Sequence, residues 1–344
     1  MFQYIRVQLL HPCRAKCQWC STHKKNPLFQ KLQETGVAST IHEEYIRLIK
    51  HFKPKEVFIS GGEPLLDPEI ASFLDSIKDS TQQINVFTSY QYSKGVRARV
   101  PFDEMPLDKI CLHHTPIYFE PDRWHKLTKG FPFDVYLENI KAVVDVPVRK
   151  RFKFILNHAL FEDEVRRFQE LVQPNETCEV SLKVMNDQGA NEVVDPILKS
   201  RDRALSRLSK LDNVLDDAGW KKVSRPLGSA DQMLPVLKGG TEVCPYRQEK
   251  PIELRFSLHR ADTGRQVLRY RFCPYFPGDF YHKFHVGRDT PESIVKAWKK
   301  GPFRDHCHKC RFLNYKISDD DLVAGDNTAA SMSTHDSAVV KVTQ

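Results

Sequence analysis

The sequence predicts an α/β protein whose parallel sheet is built from successive βα units. Short apolar runs rich in β-branched and aromatic residues recur along the first half of the chain, and segments with the spacing of amphipathic helices separate them. A parallel pair of strands needs a long crossover connection, usually a helix, so this alternation predicts parallel pairing. We expect six strands: Tyr4 to Leu10, Glu56 to Ser60, Ile84 to Ser89, Lys109 to Thr115, Arg151 to Asn157 and Cys178 to Met185.

Two of the helices carry start signals. Thr40 followed by Glu43 forms a capping box ahead of a stripe of apolar residues, which predicts that a helix begins there. Asp67 followed by Pro68 predicts the start of the next helix, because Asp is a good N-cap and Pro is tolerated at the first helical position. The segment from Ser21 to Ser39 is predicted to be a long loop, serving either as a lid or as a solvated connector.

Length and composition suit a globular protein. The 344 residues are enough for one large and one smaller domain, and a hydrophobic content of 40% can fill a core. No stretch approaches the roughly 20 apolar residues of a membrane span, and the first residues lack a signal-peptide pattern. Nine cysteines without an export signal predict a cytoplasmic protein. The net charge of +8 is compatible with phosphate-bearing or acidic partners, although the basic residues are scattered among acids.

Three cysteines lie within eight residues, directly after the first predicted strand. Cys13, Cys17 and Cys20 are spaced C-x3-C-x2-C, with the aromatic Trp19 before the last of them. Three thiols cannot all pair as disulfides, but three thiolates can converge on one soft metal centre. Such a set leaves one coordination position open for a substrate or cofactor. The alternatives are a zinc site that lacks a ligand and three buried thiols.

A glycine-rich segment follows the second predicted strand. After Ser60 it consists of Gly61, Gly62, Glu63 and Pro64. Together with the preceding cysteine motif, it makes the chain resemble the radical S-adenosylmethionine (SAM) superfamily. The resemblance implies a partial (β/α)6 TIM-like barrel and a 4Fe-4S cluster that is held by the three cysteines and binds SAM through its open iron. It also implies that Trp19 and the glycine-rich segment belong to the cofactor site, the latter meeting the amino group of SAM.

Polar residues at the carboxyl ends of the predicted strands are further candidates, because the active sites of parallel α/β barrels lie at that edge. We expect Ser89 and Asn157 to contact the ribose or carboxylate of SAM, the alternative being that nearby backbone groups or water satisfy them. His113, His114 and Lys183 also end strands. Neighbouring strand residues point to opposite faces, so only one of the two histidines can face inward.

The alternation of strands and helices stops after the sixth predicted strand. Residues 187–240 form a charged region with a leucine-spaced helix, and Gly239-Gly240 marks its end. A hairpin is predicted from Ile252 to Leu258 and Gln266 to Phe272, and a capped helix begins at Thr290-Pro291. Four cysteines surround these elements, the last two as C-x2-C: Cys244, Cys273, Cys307 and Cys310.

Four convergent thiolates would complete the coordination of one metal centre, either a second cluster or a structural zinc. The order of cysteine, hairpin, cysteine, helix and C-x2-C is similar to the Twitch domain, the shortened relative of SPASM domains. This likeness implies a second, auxiliary 4Fe-4S cluster. Cys111 and Cys178, in apolar strand runs, are predicted to be small core residues. The predicted divisions are 1–186 (barrel), 187–240 (helical connection), 241–316 (Twitch-like domain) and 317–344 (disordered tail).

The resemblance implies an enzyme that cleaves SAM to a 5'-deoxyadenosyl radical, which abstracts hydrogen from a small biosynthetic intermediate while the auxiliary cluster accepts an electron. A reducing protein such as flavodoxin or ferredoxin would be its partner. One alternative is a maturase that cross-links or epimerises a ribosomally made peptide, although the chain begins at the first strand and so leaves no room for an amino-terminal leader-binding domain. Another, suggested only by charge and cysteines, is a zinc-stabilised RNA-binding protein. We expect no membrane or nucleic-acid partner.

Overall fold

The computed structural model of the protein describes the barrel region almost throughout and the later region in part. The described residues are 2–13, 26–93, 95–96, 99–116, 119–128, 131–156, 162–173, 175–184, 206, 209–210, 213–214, 221–222, 253–258, 267–272 and 282–300. None of the helices in these ranges combines the length and the apolar character that a bilayer crossing requires.

The described strands form one sheet in the order β10-β9-β8-β1-β2-β3-β4-β5-β6-β7. Their bounds are β1 Tyr4–Leu9, β2 Glu56–Gly61, β3 Gln83–Phe87, β4 Ile110–His114, β5 Arg149–Leu156, β6 Cys178–Val184, β7 Lys221–Lys222, β8 Glu253–Leu258, β9 Val267–Arg271 and β10 His282–His285. Strands β1 to β6 are parallel and neighbour one another in chain order. Strand β8 joins the free edge of β1 in parallel, and β9 and β10 continue from it antiparallel.

Helices cover the sheet after most of the parallel strands, which gives a partial TIM-like barrel. Their bounds are α1 Asn26–Glu34, α2 Val37–Phe52, α3 Ile70–Ile77, α4 Pro121–Thr128, α5 Phe133–Val144, α6 Glu162–Val172 and α7 Pro291–Lys300. Single 3₁₀ turns lie at Pro64–Leu66, Lys78–Ser80, Phe102–Glu104 and Leu107–Lys109.

The six predicted strands are confirmed, as are the hairpin of β8 and β9 and the helix after Thr290. The predicted long loop is wrong, because α1 lies inside the segment from Ser21 to Ser39. The capping box is also wrong. Helix α2 begins at Val37 after Gly36, whose φ of 71° ends α1 and redirects the chain, so Thr40 lies inside the helix. The next helix begins two residues later than predicted, at Ile70, although the Asp67 carboxylate accepts a hydrogen bond from the Glu69 N–H at 3.0 Å.

Alternate residues of the barrel strands face different environments. Phe152 and Phe154 of β5 contact Phe168 of α6, with ring centroids 4.9 and 5.4 Å apart, so they face the helices. Burial of each such ring stabilises the fold by about 2 to 3 kcal/mol. Arg151 and Lys153 alternate with them and therefore lie on the inner face of the barrel. The helix side is thus an apolar core, whereas the inner face carries charge.

Candidate functional site

The first predicted ligand lies at the carboxyl edge of the barrel sheet. Cys13 follows the end of β1, is half-buried and takes no part in a disulfide. The other predicted cofactor and metal residues are outside the described ranges and stay predictions: Cys17, Trp19, Cys20, Asn157, Cys244, Cys273, Cys307 and Cys310. The two cysteines predicted to be core residues are buried, with exposures of 0% for Cys111 and 3% for Cys178.

Gly62 packs directly against the backbone that carries Cys13. A Cβ atom at residue 62 would lie 2.7 Å from the Cys13 nitrogen and 2.9 Å from the Pro12 carbonyl carbon, and it would overlap the His11 carbonyl oxygen. Real Cβ atoms do not approach backbone this closely, so only glycine fits here. The Glu63 N–H also donates a hydrogen bond to the His11 carbonyl oxygen at 3.3 Å. The glycine-rich segment therefore fixes the position of the first cysteine.

Gly61 makes the same kind of approach one residue earlier. It pairs with Leu9 at the end of β1, and its φ of 147° lies in the region that favours glycine. A Cβ atom on Gly61 would overlap the Leu9 carbonyl oxygen. Both glycines thus serve the packing of one chain segment on another, a requirement that the sequence alone did not reveal.

Glu63 ties the end of β2 to the end of β3. Its side chain is 1% exposed, and its carboxylate accepts hydrogen bonds from the Ser89 N–H at 2.8 Å, the Ser89 hydroxyl at 2.6 Å and the Tyr92 hydroxyl at 3.0 Å. Burial raises the pKa of Glu63, and these hydrogen bonds oppose that effect. The carboxylate therefore holds the segments that follow β2 and β3 together at the carboxyl edge of the barrel.

Two other residues of the predicted cofactor site lie beside Glu63. Pro64 is buried and begins a 3₁₀ turn that leads the chain away from the edge. The Ser89 hydroxyl donates a hydrogen bond to Glu63, and its oxygen accepts one from the Gln91 N–H at 3.3 Å. The structure brings these residues together as predicted, and their contact with SAM stays a prediction.

The two strand-end histidines point to opposite faces of the sheet, as the alternation predicted. His113 faces inward, where its Nε2 lies 2.6 Å from Oδ1 of Asn85. His114 faces the helices: its Nδ1 lies 3.0 Å from the Thr88 carbonyl oxygen, and its Nε2 lies 2.6 Å from the Tyr136 hydroxyl. A carbonyl only accepts, so Nδ1 carries the proton and Nε2 accepts from Tyr136. Burial lowers the pKa of His114 to about 4, so the ring is neutral.

Sequence reasoning missed the charged residues of the inner face. Arg151 of β5 donates from Nη2 to Oε2 of Glu179 on β6 at 2.5 Å, and both side chains are buried. Arg149 Nε lies 3.8 Å from Oε1 of the same carboxylate. Lys153 places its Nζ 4.3 Å from the centre of the Phe87 ring. The signal was available, because Arg149, Arg151 and Lys153 occupy alternate positions of β5 and a period of two assigns them to one face.

The described part of the site fits a thiolate-bound cluster. Cys13 is half-buried at the edge where parallel barrels hold their active sites, and its segment is held in place by two glycines. A fixed, accessible thiol is the donor that an iron-sulfur centre requires, and three such donors within eight residues match the soft-metal chemistry.

Comparison with known proteins leads to the same kind of centre. Residues 5–105 match a family described as a 4Fe-4S single cluster domain. Molybdenum cofactor biosynthesis protein 1 of Drosophila melanogaster is 23% identical over 175 residues, which are 49% of this chain and 29% of that protein. GTP 3',8-cyclase of Limosilactobacillus fermentum is 22% identical over 175 residues, 49% of this chain and 50% of the enzyme. The chain spans half or less of the length of these two relatives.

Solved structures share the fold over most of the chain. Streptococcus suis SuiB bound to S-adenosylmethionine superimposes with a TM-score of 0.59 at 12% identity, covering 91% of this chain and 71% of SuiB. The same protein bound to precursor peptide SuiA gives a TM-score of 0.56 at 12% identity, with coverages of 91% and 70%. At this identity the likeness establishes the fold alone.

Proposed function

Because this chain belongs to the radical SAM superfamily of enzymes, we propose that it binds a 4Fe-4S cluster and SAM at the carboxyl edge of its barrel. Cys13, Cys17 and Cys20 would hold the cluster. When bound, the cluster would supply the electron that cleaves SAM to methionine and a 5'-deoxyadenosyl radical, which takes hydrogen from the substrate.

One observation carries this proposal: the glycine-rich segment and the segment of Cys13 lie in direct backbone contact. The two motifs are about 50 residues apart in sequence, yet Gly62 leaves no room for a side chain against His11 and Cys13. A merely structural glycine pair would not need to meet a half-buried cysteine at the active-site edge of a barrel. The contact is what a site requires if one segment holds the cluster and the other receives SAM.

The residues around this contact would position the cofactor rather than carry out chemistry. Glu63 fixes Ser89 and Tyr92 through three hydrogen bonds, so the ends of β2 and β3 are held together. Because these groups are already hydrogen-bonded, they do not need to reorganise when a ligand binds, and this lowers the cost of binding.

For the substrate, we propose a small biosynthetic intermediate that is oxidised, with an auxiliary cluster held by Cys244, Cys273, Cys307 and Cys310 as the electron acceptor. A fully coordinated cluster suits electron transfer, because it has no open iron for a substrate. The proposed setting is the cytoplasm, with a flavodoxin or ferredoxin as the electron donor. Maturation of a ribosomally made peptide is the second candidate, and it is favoured by the fold shared with peptide-bound SuiB.

The test is SAM cleavage by anaerobically reconstituted protein with dithionite, measured as 5'-deoxyadenosine. Replacing Cys13, Cys17 and Cys20 together by Ala should abolish cleavage and leave about four iron atoms per chain in the auxiliary cluster. Cys178→Ala is the matched control, because Cys178 is buried in β6 away from the site, and this variant should cleave SAM normally. Cleavage by the triple variant, or no cleavage by iron-loaded wild type, would contradict the proposal. Zinc without acid-labile sulfide would do the same.

A further inference from the structure

The inner face of the barrel is not a packed apolar core. Closed (β/α)8 barrels fill this space with branched aliphatic side chains. Here the strand register aligns polar, charged and aromatic residues in rows across the face. One row contains Arg6, Phe58, Asn85, Cys111 and Arg149, and the next contains Gln8, Ser60, Phe87, His113, Arg151 and Glu179. Such a lining suits a polar ligand, because buried polar groups are costly unless they find partners.

Two cations of this face share one aromatic ring. Lys153 Nζ lies 4.3 Å from the centre of the Phe87 ring, and Arg6 Cζ lies 5.6 Å from the same centre. Arg6 also lies over Phe58, with its Cζ 4.6 Å from that ring, and Phe58 and Phe87 are stacked with centroids 6.3 Å apart. A ring face attracts cations, so the two rings hold both charges on the inner face.

Positive charge predominates on this face among the described side chains of β1 to β6 and β8. The cations number five, namely Arg6, Arg149, Arg151, Lys153 and Arg255, and the carboxylates three, namely Glu56, Glu179 and Glu253. Arg149 and Arg151 face the same carboxylate, that of Glu179. Arg6 forms an ion pair with Glu253, its Nε lying 3.3 Å from Oε1. The surplus of cations creates a positive potential inside a concave surface, which concentrates anions.

Among the cations of this face whose side chains the structure describes, Lys153 is placed closest to the active-site edge. The register puts it one row beyond Arg151 and Phe87, opposite Ser181 of β6. Lys153 contacts the ring of Phe87, the last residue of β3, and Ser89, which contacts Glu63, follows two residues later. A group bound at Lys153 would therefore lie toward the proposed cofactor site.

We propose that Lys153, with Arg6 beside it on the same ring, forms the anion-binding part of the substrate site, and that the substrate carries a phosphate or carboxylate group that lies against the Lys153 ammonium. This inference rests on the proposed function, because it identifies the class of molecule that the radical would attack. Phosphate and carboxylate share the charge and the oxygen acceptors that an ammonium and a guanidinium recognise.

The test is isothermal titration of the anaerobically purified full chain at low ionic strength with three probes: inorganic phosphate, pyrophosphate and succinate. Wild type should bind at least one of them, and binding should weaken as salt is added. Lys153→Gln should weaken that binding at least tenfold. Lys141→Gln, an exposed lysine of α5, is the matched control and should bind like wild type. The probe that binds tightest distinguishes a phosphate-bearing from a carboxylate-bearing substrate.

Phe87→Leu is a second variant, because it removes the ring shared by the two cations and leaves their charges. It should weaken binding less than Lys153→Gln, and it serves the test if Lys153→Gln does not fold. If folded Lys153→Gln binds the probes as tightly as wild type, the inference is overturned. If Lys153→Gln does not fold, equal binding by Phe87→Leu and wild type overturns it instead. So would the absence of binding of all three probes to wild type. If wild type nevertheless cleaves SAM, the proposed function stands and only the anion site fails.

Discussion

The carboxylate of Glu63 holds Ser89 through both of its donors, the N–H at 2.8 Å and the hydroxyl at 2.6 Å. Glu63 belongs to the segment after β2 and Ser89 to the segment after β3, so this pair joins two strand ends that lie side by side. Glu63 is buried and Ser89 is half-buried, close to the edge where Cys13 and Gly62 meet.

Glu63→Ala is therefore expected to lower the free energy of unfolding by about 3 kcal/mol, because the donors of Ser89 and of the buried Tyr92 lose their acceptor. Chemical denaturation measures the change. Glu43→Ala, at an exposed position of α2, is the control and should be close to wild type. A stable Glu63→Ala protein would show that these hydrogen bonds do not organise the edge.

Gly62→Ala should reduce the iron content and SAM cleavage together. The added Cβ would displace the backbone of His11 and Cys13, and so move the first cluster ligand. Iron analysis and 5'-deoxyadenosine formation measure the two effects. In the control Gly36→Ala the Cβ meets nothing within 4 Å, and the cost is about 1 kcal/mol of backbone strain at φ 71°. Full iron loading in Gly62→Ala would argue against the contact as a support for the cluster.

His114 should make the protein acid-sensitive. Burial lowers its pKa in the folded state to about 4, against about 6.5 in the unfolded chain. Between these values the unfolded state binds the additional proton, so stability present above pH 6.5 is lost as the pH falls toward 4. The loss is about 3 kcal/mol. Denaturation at a series of pH values should show a shallower acid decline for His114→Gln than for wild type. The exposed control His125→Gln should follow wild type.

Arg151 and Glu179 should be strongly coupled. Arg151→Met leaves the buried Glu179 carboxylate with Arg149 at 3.8 Å, and it should destabilise the fold by about 3 to 5 kcal/mol. The double variant Arg151→Met, Glu179→Met should be less destabilised than the sum of the single changes, because no buried charge is stranded. Lys78→Met, which removes the exposed ion pair with Asp75, should cause no measurable change. Additive effects at Arg151 and Glu179 would contradict the coupling.

The auxiliary cluster has its own prediction. Replacing Cys307 and Cys310 by Ala should lower the iron content from about eight to about four atoms per chain while 5'-deoxyadenosine still forms. With the substrate in hand, deuterium transfer into 5'-deoxyadenosine should persist and the oxidised product should decrease. Circular dichroism must show a folded protein, because loss of a cluster removes folding free energy. Unchanged product formation would mean a structural role for this centre.

The amino-acid sequence by itself determined the order of strands and helices and the two motifs of the site. Periods of two and of three to four residues set the six parallel strands and most helices, because local chain geometry decides which residues share a face. Local signals failed where two helices meet. The capping box predicted that α2 begins at Thr40, but the helix begins at Val37 after a turn at Gly36. Tertiary packing overrode the local signal.

Only the tertiary structure decided what the motif residues touch. Gly62 has to be glycine because the segment of Cys13 crosses it, and Glu63 is a buried acceptor because β3 ends beside it. Both relations join residues distant in sequence, so no local pattern contains them. The neighbours of the charged residues on the inner face were likewise decided by the tertiary structure. Alternation assigns Arg151 and Lys153 to one face, but the parallel register brings them level with Glu179, Phe87 and the carboxyl edge.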